Sequence, residues 1–153
     1  MSYTLHPATL NDALTLNAGL TKADRDELLA GEHEPLESII WGLKHSLRPL
    51  AIFDKDGHLA AIAGVAPQDR FFLVGAPWML CTRFTKTEPV AFVKQAQDWV
   101  DGQLSHYKVL QNTVWRNNSD HIRLLRHLGF SVLWHPTNEF FEFFRCAPPS
   151  PPQ

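Results

Sequence analysis

Apolar and polar residues alternate along the chain with two periods, one near 3.6 residues and one of two, and the switches between them predict a series of helices and strands. Tyr3–His6 reads as a short first strand. Pro7-Ala8-Thr9 leads into a helix over Leu10–Leu20 with Asn11 and Asp12 in its first turn. Thr21 caps a second helix that holds Asp24–Leu29 and breaks at Gly31. A third helical run, Pro35–Ser46, places Leu36, Ile39, Ile40 and Leu43 on one face. Leu50–Phe53, the turn Asp54-Lys55-Asp56-Gly57 and Leu59–Ala66 form a β-hairpin signal, because Asp-Gly supplies the positive φ angles of tight turns. Pro67-Gln68-Asp69 begins a loop, and Gly75-Ala76-Pro77 precedes a fourth strand, Trp78–Thr82. A long helix over Pro89–His106 has Val90, Val93, Ala96, Gln97 and Val100 on its inner face, and a fifth strand, Val109–Trp115, follows.

The segment Asn117–Phe130 is the best-specified part of the chain. Ser119 is placed to cap a helix, Asp120 puts negative charge in its first turn, and Arg123, Arg126 and His127 bring positive charge toward its end. Ile122, Leu125 and Leu128, with Leu124 beside them, form the buried face. Gly129 suits the left-handed residue that ends many helices, and Phe130 opens the β-prone run that becomes a sixth strand over Ser131–Trp134. A seventh strand spans Glu139–Phe144.

Composition narrows the class. A chain of 153 residues is the size of one domain, expected over 1–146, and buries roughly 70% of its extended surface. The Pro-rich stretch 147–153 cannot join a sheet and is expected to be a flexible tail. With 44% hydrophobic residues the chain is too apolar for disorder, and a net charge of -2 without charge runs gives no bulk attraction to nucleic acid or an anionic membrane. No apolar stretch approaches a membrane span, and Met1–Leu5 lacks the features of a signal peptide, so the expected location is the cytoplasm. Two cysteines, Cys81 and Cys146, are expected to be free thiols.

The helix from Asn117 through Leu128-Gly129-Phe130 resembles the C-terminal motif of the GNAT (Gcn5-related N-acetyltransferase) superfamily, and the order strand, two or three helices, three strands, helix, strand, helix, two strands matches that fold. The resemblance implies an α/β (α+β) fold with a central mixed seven-stranded sheet and helices on both faces. A narrower resemblance, to the small GNAT-like proteins of short-tailed phages related to internal virion protein A, rests on several fragments. They are Ala23-Asp24-Arg25-Asp26-Glu27-Leu28, Ala63-Gly64-Val65, Ala76-Pro77-Trp78-Met79-Leu80, Leu110-Gln111-Asn112-Thr113-Val114, Asn117 and Leu128-Gly129-Phe130. It implies a phage or prophage product in the host cytoplasm or the virion, with phage structural proteins as partners.

Three places decide whether such a chain catalyses acetyl transfer. Working members of the superfamily cradle the acetyl-CoA pyrophosphate in a Gly-containing loop after the fourth strand; here that stretch is Thr82–Pro89, which has no glycine, puts Glu88 at the helix start and Pro89 where an N–H is needed. Cys81, Thr82, Arg83, Lys86, Thr87 and Asn118 are the candidate cofactor contacts if acetyl-CoA binds. The family's tyrosine acid, four residues before the glycine, is replaced by Leu125, which has no proton to donate. The fourth strand carries no carboxylate base; Asp69, Asp24, Glu27 and His121 are the alternatives, with a solvated helix or loop position the ordinary reading of each.

Other chemistries fit less well. None of the eight histidines has zinc-ligand spacing, so no metal is expected. Phe71-Phe72 and Phe140-Phe141-x-Phe143-Phe144 place aromatics on both faces of their strands, covered either by a packed helix or by self-association. Two functions therefore follow: a phage assembly or structural protein on a GNAT fold with a degenerate acetyl-CoA site, or an acyl-CoA-dependent N-acetyltransferase with a remodelled loop.

Overall fold

The computed structural model describes residues 3–149. The elements are β1 (Thr4–Pro7), α1 (Leu10–Gly19), α2 (Lys22–Ala30), α3 (Pro35–His45), β2 (Leu50–Phe53), β3 (Leu59–Asp69), β4 (Val74–Cys81), a 3-10 turn (Arg83–Lys86), α4 (Pro89–Gln103), β5 (Val109–Trp115), α5 (Ser119–His127), β6 (Ser131–Leu133) and β7 (Phe140–Cys146). Most of the tail expected to be flexible, 150–153, lies outside the described residues.

Local chemistry sets the boundaries. Thr9 and Asp12 close a reciprocal capping box at the start of α1, and the Thr21 side chain accepts from Asp24 N at α2. Between β2 and β3, Asp54 Oδ1 accepts from the amides of Asp56 and His58, both at 2.9 Å, while Gly57 takes φ 84°. The cap of α5 is Asn118 rather than Ser119: its side-chain oxygen accepts from His121 N, and Ser119 is the first helical residue. Gly129, at φ 85°, ends that helix as expected.

The seven strands form one sheet in the order β1-β2-β3-β4-β5-β7-β6. Every neighbouring pair is antiparallel except β4 and β5, which run parallel and pair only at Val74–Val109 and Gly75–Leu110. Beyond those two pairs the strands diverge, so their C-terminal halves, toward Cys81 and Trp115, leave a wedge in the middle of the sheet. Helices cover both faces. Phe92, Ala96 and Val100 of α4 and Leu125 of α5 pack with Ala63, Val65 and Met79 on one side; Ala13, Leu16 and Ile39 of α1 and α3 pack with Ala51 and Ile62 on the other. The sheet is thus the partition between two cores, and its alternating residues belong to opposite ones. No helix among the described residues is long and apolar enough to cross a membrane.

Five local expectations need correction. The segment Pro67–Asp69 continues β3 instead of opening a loop, because a register shift between Pro67 and Asp69 accommodates a residue that cannot donate to the ladder. Gly75-Ala76-Pro77 accordingly lies within β4, and Phe71 and Phe72 stand in the turn before it, not in a strand. On α3 the buried row is Pro35, Ile39 and Gly42, leaving Ile40 40% exposed, because Gly42 lets the Trp78 ring approach the helix backbone. On α4 the inward row is Phe92, Ala96 and Val100, with Val90 and Gln97 exposed; the Phe92 ring packs edge-on to Tyr3, 5.5 Å between centroids, and that large contact fixes the rotation of the helix.

Candidate functional site

The wedge between β4 and β5 is closed by α2. Asp24 and Glu27, one helical turn apart, both face it. Asp24 Oδ2 accepts from Cys81 N at 2.8 Å and its Oδ1 from Asn118 Nδ2 at 3.0 Å. Glu27 Oε1 accepts from Trp115 N and from Asn118 Nδ2, each at 3.1 Å. The amides at the ends of both strands, deprived of a ladder partner by the divergence, are therefore satisfied by two carboxylates of one helix. Asn118 is 2% exposed and joins the set while capping α5. Burial raises the pKa of Glu27, with Asp24 adding to the effect against the opposing influence of His121, the Trp115 amide and Asn118. Burial likewise pushes the Cys81 thiol well up, with Asp24 again adding, so Cys81 is poorly suited to act as a nucleophile.

The loop after β4 is equally self-contained. The buried Thr82 hydroxyl donates to Leu59 O at 2.6 Å and accepts from Phe84 N, while Thr85 N donates to Thr82 O and Thr87 N to Phe84 O. Tyr3 enters from the first strand region: its hydroxyl donates to Phe84 O at 2.9 Å and accepts from Glu88 N at 3.1 Å. The amides of Phe84, Thr85, Thr87 and Glu88 thus all point at protein acceptors, and Pro89 begins α4 without one. The basic side chains are engaged as well: the Arg83 guanidinium lies over the Phe84 ring and Lys86 approaches Asp120 at 3.7 Å. An anion cradle needs backbone N–H groups converging on empty space, and this turn has converged them on itself.

Beside the wedge lies a cleft of about 920 Å³. Trp78 and Leu80 of β4, Trp99 of α4, and Leu125 and Leu128 of the α5 end form apolar walls. Glu27, Glu32, Glu34 and Glu37, from α2, α3 and the link between them, line it together with His33 and His121, and no Lys or Arg does. Leu125 stands in this wall where the resemblance places a tyrosine, and it supplies only packing.

The structure brings together Glu27, His121 and Asn118, and adds Cys81 through its backbone amide. Thr82, Arg83, Lys86 and Thr87 lie in the turn just described. Asp69 is elsewhere, at the far end of β3, accepting from Phe72 N at 3.0 Å. The reading of Asp24 as a solvated helix residue is corrected: it is 6% exposed. In sequence it sits three residues after the Thr21 cap and so looks like a first-turn acid; nothing local signals that it reaches the end of β4. Tyr3 was legible only as a strand residue, for the same reason. The structure also gathers Asp54, Asp56 and His58, whose ligand-type atoms lie within 4.8 Å of one another. The Asp54 oxygens already serve the turn amides, His58 Nδ1 at 3.3 Å and the Thr87 hydroxyl at 3.4 Å.

Comparison with solved structures gives the fold. The chain is similar to spermidine N-acetyltransferase from Vibrio cholerae in complex with CoA and spermine, with a TM-score of 0.72 and 11% identity over 95% of this chain and 96% of that one. It is similar to the GNAT superfamily phosphinothricin acetyltransferase from Sinorhizobium meliloti in complex with AcCoA, with a TM-score of 0.70 and 11% identity over 96% and 89% of the two chains. A third, a GCN5-related N-acetyltransferase from Kribbella flavida, has a TM-score of 0.64 and 17% identity over 95% and 98%. At such identities the likeness concerns architecture alone: this is the GNAT fold. No curated protein matches the sequence. The family model described as bacteriophage T7, probable scaffold protein Gp13, matches residues 51–137, more than half of the chain and including β3, β4, the following turn, β5 and α5. The chain belongs to the family of the bacteriophage T7 probable scaffold protein Gp13.

Proposed function

We propose that this is a phage or prophage protein acting in virion assembly or as a virion component, built on a GNAT fold whose acetyl-CoA site has degenerated. The observation that carries the reading is the occupation of both cofactor-facing features by the protein's own groups. The loop amides of Phe84, Thr85, Thr87 and Glu88 are turned to internal acceptors, and the Asp24 and Glu27 carboxylates fill the strand wedge. A pyrophosphate arriving here would meet the Glu88 carboxylate at the start of α4 and few free donors, so the residues present do not fit that group. Membership in a family described by a probable scaffold protein supports the particle role. The protein would act in the host cytoplasm, with phage structural proteins as its partners.

A second reading, an N-acetyltransferase with a remodelled cofactor loop, draws on the cleft, where Glu27, with its raised pKa, and His121 line one cavity. Calorimetric titration of the purified protein with acetyl-CoA separates the two. The first predicts no saturable heat up to millimolar ligand; binding in the micromolar range would overturn it.

A further inference from the structure

The tip of the β3–β4 hairpin, Arg70–Leu73, presents apolar surface that the fold does not use. Phe71 is 87% exposed and Phe72 63%, and their rings meet edge to face with centroids 4.9 Å apart. The tip is held in shape: Phe72 N donates to Asp69 Oδ1, Lys108 N donates to Leu73 O at 2.8 Å, and Leu73 adopts φ 56°, a left-handed conformation disfavoured for a side chain of its bulk. Arg70, exposed beside the two rings, adds a cation. Pro67 and Gln68, just before the tip on the same strand, wall the cleft described above, so tip and cleft are neighbours on the surface. The two are chemically complementary. One is a pair of aromatic rings with the exposed Arg70 preceding them in the chain; the other has tryptophan walls and four glutamates, with two histidines and no Lys or Arg.

We propose that the Arg70–Leu73 tip of one copy seats in the cleft of a second copy, its phenylalanines against Trp41 and Trp78 and its guanidinium toward Glu32 and Glu37. Because tip and cleft adjoin, one two-fold axis satisfies both of each, giving a closed dimer instead of an open chain. Phe71 and Phe72 of the two copies, at their 87% and 63% exposure, contribute roughly 450–750 Å² of apolar contact, to which the rims add toward the ~1,600 Å² of a standard interface. This contact rests on the first reading above, since in the second the same cleft would take the reacting groups.

Sedimentation velocity of the full chain over a concentration series tests it. The wild type should shift from monomer to dimer. The variant F71S/F72S should raise the dimer dissociation constant at least about tenfold while circular dichroism, and melting at a dilution where both proteins are monomeric, stay unchanged, since both rings are largely in solvent in the monomer. R70E and E37R should each weaken association, and an equimolar mixture of the two should recover it, because each altered tip then meets a complementary cleft. A wild type that stays monomeric, a dimer indifferent to F71S/F72S, or a mixture no better than its components would each overturn the proposal. So would tip-dependent cosedimentation of a monomer with anionic phospholipid vesicles, which would assign the tip to a membrane surface.

Discussion

Replacing Asp24 by alanine tests the central structural statement, that one carboxylate of α2 ties β4 to α5. The substitution leaves Cys81 N without its 2.8 Å acceptor and takes one of two partners from Asn118 Nδ2. Hydrogen bonds to a carboxylate contribute about 1.5–3 kcal/mol each, and relief of the desolvation of Asp24 offsets part of the loss, leaving a net cost of about 3 kcal/mol. For a domain of this size that lowers Tm by roughly 6–12 °C. Thermal unfolding followed by circular dichroism measures it directly. The sharper assay is a double-mutant cycle with Asn118→Ala. That single variant also removes the α5 cap, at about 1 kcal/mol, so its own cost is the sum of two effects. Because the residues share a hydrogen bond, the double variant should be less destabilised than the sum of the singles by about 0.5–3 kcal/mol. Additivity, or a D24A melting point within about 2 °C of wild type, would refute the reasoning.

Three further outcomes follow from the same geometry. Gly42→Ala would place a Cβ 2.7 Å from Cζ2 of a Trp78 ring that is itself fixed by a 2.7 Å hydrogen bond to Ser46 Oγ. Melting should therefore show a loss of about 1–3 kcal/mol, and a neutral substitution would mean the ring is free to move. Tyr3→Phe removes the acceptor of Glu88 N, so hydrogen exchange at that amide should accelerate, while the α4 interior from Ala96 onward keeps its protection. Glu27 contributes one pH dependence. Its folded pKa lies above the ordinary 4.5, so the folded state binds the proton more tightly than the unfolded chain, and stability falls as pH rises from that value through the folded pKa. Glu27→Gln removes this loss. Its Tm relative to wild type should be more favourable near pH 7 than at about pH 4.5, and an equal difference at both would show that the carboxyl is not responsible.

The helices and strands were legible because their signals are local. Thr21, Gly57 and Gly129 act within a turn of their own position, and β5 is bounded as its residues predict. The misplacements arose where a distant partner overrides periodicity: the Trp78 ring against Gly42 rotates the buried face of α3, and Tyr3 against Phe92 does the same for α4. At the site, the chain by itself determined that Thr82–Pro89 carries no glycine and position 125 no hydroxyl, which needs no coordinates. Which groups meet in the wedge was decided by tertiary structure alone. Asp24 is 57 positions from Cys81 and 94 from Asn118. Sequence spacing determines which groups can share a helix face, but only the packed sheet, by parting β4 from β5 and laying α2 across the gap, determines that two ordinary helix acids become the acceptors for its unpaired amides.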